Sequence, residues 1–145
     1  MPMTPKPAVL SMVLLVACAA RTPHVEVGPL AAGLDAFLAT HPLAEGQAIR
    51  VDEVGRTPAA SYHVVQIRGS ERPHRHLAHD LTVVVLRGRG TLTLAGRTVE
   101  LVAGDAAVIP RGEAHWFARR GRAPAVALVT FTPPLDAPDS VAEVD

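Results

Sequence analysis

The chain has 145 residues, 48% of them hydrophobic and 19% charged. That is enough apolar material for one domain with a core, and it argues against a charge-rich disordered chain. Fourteen cations balance fourteen acids and aromatic residues make up 3%, so neither a basic field nor a stacking platform marks a nucleic-acid partner. One cysteine excludes an internal disulfide and a CxxC pair. No apolar run reaches about 18 residues, which excludes a spanning helix.

In chain order, the first element is a leader. Lys6 precedes a short apolar run from Ala8 to Ala20, a charged start followed by an apolar stretch too short to cross a bilayer. Leu15-Val16-Ala17-Cys18 resembles a bacterial lipobox. That resemblance implies lipidation of Cys18, removal of residues 1–17 as a signal peptide, and a protein anchored in the cell envelope, facing the periplasm. The alternative is an ordinary secretory signal and a secreted, unlipidated product. On the lipoprotein reading, Cys18 is neither a metal ligand nor a catalytic group.

Residues 18–47 are expected to hold the lipidated tether and one short helix. Pro29 suits a first helical turn, and Leu30, Leu34, Phe37 and Leu38 fall on one helical face. His41-Pro42 ends the pattern, because the residue before proline avoids the helical region. From Ala48 the period changes to two. Strands are expected at Ala48–Val54, Tyr62–Arg68, Leu81–Arg87, Thr91–Ala95, Thr98–Val102, Ala106–Ile109, His115–Arg119 and Ala125–Phe131. Glycine-bearing turns separate most of them. Eight short strands so spaced predict an all-β antiparallel sandwich or barrel over residues 48–132. Residues 133–145 carry Asp136, Asp139, Glu143 and Asp145, no cation and no periodicity, and read as a mobile acidic tail.

Four of the seven histidines carry the chemistry. His74 and His76 point to one side of an extended chain, His79 follows three residues later, and His115 opens a strand after Gly104-x5-Pro110-x-Gly112. Imidazoles sharing a face can share an ion. His24 and His41 fall outside the pattern and read as surface residues. His63 shares a strand face with Val65 and Ile67; it reads as a satisfied inward histidine that can also line a pocket.

These two segments resemble the cupin family. Its first motif has a glycine, H-x-H, an acid three or four residues on and a glycine after a strand; its second is G-x5-P-x-G-x2-H-x3-N. The second matches at Gly104, Pro110, Gly112 and His115, with Arg119 in place of the asparagine. The resemblance spans about Tyr62 to Phe131. It implies a jelly-roll β-barrel with a metal in its mouth, held by His74, His76 and His115 with an acid from the first motif. Counting from His76 puts Asp80 in the acid's place. Strand parity places residues 79, 81, 83 and 85 on one face. Either His79 is the fourth ligand, or a bend makes it Asp80. Asp80 can alternatively orient a ligand imidazole from behind.

A site of three or four histidines suits Fe, Mn, Ni, Cu, Co or Zn. The expected pocket walls are Val65, Ile67, Val83, Val85, Ile109 and Leu128, with Asp80, Glu113 and His63 as the nearby proton-transfer groups. Three functions fit: a metal-dependent dioxygenase or isomerase acting on a small molecule, a non-catalytic module that binds a metal or small ligand, and a structural lipoprotein. Fold-level likeness does not choose among them. Open sheet faces suggest a homodimer.

Overall fold

The structure, a computed structural model, describes residues 22–27 and 30–142. The leader and Cys18 lie outside the described residues. The chain forms β1 (His24–Val27), β2 (Leu30–Gly33), α1 (Leu34–Thr40), β3 (Ile49–Arg56), β4 (Ser61–Ile67), β5 (His74–His76) and β6 (Asp80–Arg87). It continues through β7 (Arg89–Leu94), β8 (Arg97–Val102), β9 (Ala106–Ile109), β10 (His115–Arg120), β11 (Ala125–Thr132) and β12 (Ser140–Ala142).

Two five-stranded antiparallel sheets face each other. One has the order β12-β5-β10-β7-β8, the other β3-β4-β11-β6-β9, and β1 pairs with β2 apart from both. The expected all-β cupin-type jelly roll is therefore present, as two facing sheets rather than a continuously hydrogen-bonded barrel. Their inner faces meet in a core of Val65, Ile67, Leu81, Val85, Leu92, Leu101, Ile109, Val129 and Phe131.

Strand β4 is buried almost throughout, because both of its faces are covered. Val65 and Ile67 point between the sheets, whereas Val64 packs with Val126 under Leu34 and Phe37 of α1. Val64 is 1% exposed, and burial of such a side chain stabilises by roughly 1.5–3 kcal/mol. The helix thus serves as a lid on the outer face of one sheet. At the β7–β8 hairpin the two loop residues, Ala95 and Gly96, both have positive φ (49° and 76°), as a tight turn matched to the twist of its strands requires.

Three local expectations are corrected. The helix begins at Leu34 rather than Leu30, because Leu30–Gly33 pairs with His24–Val27; the leucine spacing suits a helix, but strand pairing takes up its first turn. The tail is not loose through its described part: Ser140–Ala142 pairs residue for residue with His74–His76. It supplies a short cover for an otherwise open sheet edge, which hydrophobic periodicity does not reveal. Leu128 is not a pocket wall. Its neighbours Ala127 and Val129 line the cavity, and strand alternation turns Leu128 to the opposite face.

Candidate metal centre

The ligand-bearing strands are adjacent. His74 of β5 lies directly opposite His115 of β10, so their side chains leave the sheet on the same face, and His76 shares that face by alternation. Gly112, at φ 80°, makes the turn before β10 in a conformation that strains any residue with a Cβ. Its N–H donates to the His76 carbonyl at 2.7 Å. The second motif's turn is thereby fastened to the first motif's strand.

Ring centroids are 4.4 Å apart for His74 and His115, 5.2 Å for His74 and His76, and 5.5 Å for His76 and His115. One nitrogen from each ring lies within 4.8 Å of the others. The remaining nitrogens are accounted for. Nδ1 of His74 faces the Arg72 carbonyl at 2.8 Å, Nδ1 of His115 faces the Glu113 carbonyl at 3.0 Å, and Nδ1 of His76 faces Asp139 Oδ1 at 2.7 Å. All three partners are acceptors, so each Nδ1 carries the proton and each neutral ring keeps its lone pair on Nε2. Ligand imidazoles are usually held in this way from behind.

Burial favours the neutral form at two of these rings, His115 and His76. It lowers His115 to about 4, against the opposing bond to Glu113 and with smaller help from His74 and His76. It also lowers His76, although Asp139 works in the other direction. A neutral imidazole is the form that binds a metal. The donor set therefore fits an ion in number and convergence, and two of its members are held toward the metal-binding neutral form.

The first-motif fourth ligand is a correction. His79 is buried, but its Nδ1 lies 2.6 Å from Asp139 Oδ2 and its Nε2 lies 3.2 Å from the Pro134 carbonyl. Both nitrogens face oxygen acceptors, and His79 stands outside the converging group. Asp80 is not there either. It leads β6 on the outside, bonded to the Arg111 side chain at 2.7 Å and to its N–H at 2.9 Å. Arg111 holds the Asp80 carboxyl down at about 2. The role of orienting a ligand histidine, considered for Asp80, belongs to Asp139, which local pattern could not reveal because 63 residues separate it from His76.

A cavity of about 200 Å³ opens beside the three rings. It is walled by the expected Val65, Ile67, Val83, Val85 and Ile109, together with Phe131. His63 does not line it. The bland expectation holds instead: His63 Nε2 bonds Ser61 Oγ at 2.9 Å and its ring edge packs on Phe131. A further acid does line the cavity, Glu71, whose Oε2 accepts the Phe117 N–H at 2.8 Å. Burial pushes its carboxyl up, opposed by Phe117 and His74. Its sequence signal was faint: a lone acid three residues before His74 in a segment that reads as a turn.

Residues 61–131 match the model of the cupin domain family, and the chain belongs to the cupin superfamily. It is 43% identical over 93 residues to an uncharacterized protein of Aquifex aeolicus, an alignment covering 64% of this chain and 76% of that protein. Among solved structures it is similar to KdgF from a Halomonas species, with a TM-score of 0.58 and 28% identity over 61% of this chain and 82% of that one. TT1209 from Thermus thermophilus superimposes with a TM-score of 0.57 at 22% identity, over 66% of this chain and 94% of that one. The nucleoside dehydratase Pac13 of Streptomyces superimposes at 0.56 and 19%, over 66% and 78%. The last two likenesses speak for the fold.

Proposed function

We propose that this protein is a lipid-anchored cell-envelope cupin that binds one divalent first-row metal and accommodates a small, largely apolar molecule beside it. One observation carries the reading: three imidazoles, each tied at Nδ1 to an acceptor, leave three Nε2 lone pairs at the end of an apolar cavity. A bound ion would supply Lewis acidity there, or one-electron chemistry if it is redox-active. The chain's own contribution is to exclude water with the valine and phenylalanine walls and to hold one carboxyl, Glu71, where it can exchange a proton with a guest. That inventory supports a dioxygenase-like or isomerase-like activity.

A second reading is a non-catalytic binding module. It is favoured by the outward bond of Asp80 to Arg111, which leaves Glu71 as the acid among the cavity-lining residues described. The anchor rests on Leu15-Val16-Ala17-Cys18 and the short apolar run before it.

The full chain, purified with its N-terminal segment intact, should carry close to one first-row metal ion per molecule by elemental analysis. Replacing His74 and His76 together by alanine should remove it; undiminished metal in that variant defeats the assignment. In cell fractionation, Cys18→Ser should move the protein out of the membrane fraction, and unchanged retention speaks against lipidation.

A further inference from the structure

The C-terminal segment reaches the metal centre. Leu135 N–H donates to Ser61 Oγ at 2.9 Å, Arg56 grips Asp136 at 2.9 Å, and β12 covers the whole of β5. Between these anchors one carboxylate meets two histidines. Asp139 Oδ1 is 2.7 Å from His76 Nδ1 and Oδ2 is 2.6 Å from His79 Nδ1, while Oδ2 also accepts the Ala78 N–H at 2.9 Å. His79, buried and closed off by Pro134, acts as a clamp on the carboxylate rather than as a ligand.

The three ligand histidines are not held alike. His74 and His115 each take their orientation from a carbonyl two residues away, so their own strands fix them. His76 depends on a side chain delivered from the far end of the chain. We infer that Asp139 is a positioning residue for the metal centre, holding the His76 proton on Nδ1 and so aiming its Nε2 lone pair at the ion. The described part of the C-terminal segment thus belongs to the site. A free neutral imidazole carries its proton mostly on Nε2; without the carboxylate, His76 would present the wrong nitrogen and a freer ring.

This inference rests on the metal reading, and its test separates the two. Zn²⁺ is titrated into the full chain against a chromophoric chelator, and long-range ¹H–¹⁵N spectra of the metal-free protein report which nitrogen of His76 is protonated. Asp139→Ala should weaken Zn²⁺ binding about 10- to 100-fold and move the His76 proton to Nε2. Asp139→Asn, which keeps the shape and one acceptor, should show a smaller loss and carries the test if the alanine variant does not fold. Asp80→Asn, which removes a carboxylate bonded outward to Arg111, should change neither readout. Wild-type affinity with an unmoved tautomer in both Asp139 variants overturns the inference. If wild-type protein takes up no Zn²⁺, the metal reading fails, and the tautomer spectra alone still uphold or overturn the role of Asp139.

Discussion

Two groups of histidines sit within one small domain and have opposite fates. His74, His76 and His115, on β5 and β10, each spend one nitrogen on an acceptor and leave the other toward the cavity. His63 and His79 are equally buried, yet His63 bonds a serine with its Nε2 and His79 has both nitrogens facing oxygens. The residue type is the same in both groups. What differs is position: among the described residues the first three each bring a nitrogen within 4.8 Å of the others, and that decides between ligand and strut.

The sharpest way to break this comparison is to delete one member from each group. His115→Ala should abolish metal retention, because a two-nitrogen remnant lacks the third converging donor. His79→Ala should keep close to one ion per chain while costing about 0.5–1.5 kcal/mol of stability in chemical unfolding, the usual net worth of one hydrogen bond, here the one to Asp139 Oδ2. Equal metal loss in the two variants would erase the distinction.

A middling effect is expected from pH. Burial is the main reason that His63 is held below its ordinary value, with Glu53 opposing and Arg56 adding a little. A histidine lowered in the folded state takes up fewer protons than the unfolded chain once pH drops below about 6.5. Stability present at neutral pH is therefore lost as the solution is acidified through that range. Urea unfolding of the metal-free protein should follow this course, and His63→Gln, which cannot titrate, should show a shallower slope. An identical slope would mean that His63 is not the closed, uncharged strut described.

The smallest effect belongs to Asp80. Its carboxyl is lowered to about 2 by the Arg111 side chain and, after that, by the Arg111 N–H. A lowered carboxylate stabilises above its ordinary value and loses that contribution only as pH falls toward 2. Asp80→Asn should leave metal content untouched and produce a slight stability loss above pH 4. Metal loss in this variant would return Asp80 to the centre.

Much of the domain could be read without coordinates. Alternation from Ala48 onward and the intervening turns announced the main strands, because side chains on a strand repeat every two residues and a jelly roll buries alternate ones. The pairing of His74 and His76 on one face followed from the same period. Strands β5 and β12 are less visible, since elements of three residues are too short to carry a periodic signal. The helix start was misplaced because a leucine four residues from the next is compatible with a helix until a neighbouring strand claims it.

By itself, the order of residues determined a mostly β fold carrying a histidine cluster with spacing suited to a metal. Local geometry sets those features: a period, a turn glycine and an H-x-H. Tertiary structure alone decided which histidines converge, that Asp80 faces Arg111 outside, and that Asp139 stands behind His76. These are facts about partners tens of residues away, and a hydrogen bond between them exists only once the sheets have brought its two ends within 3 Å.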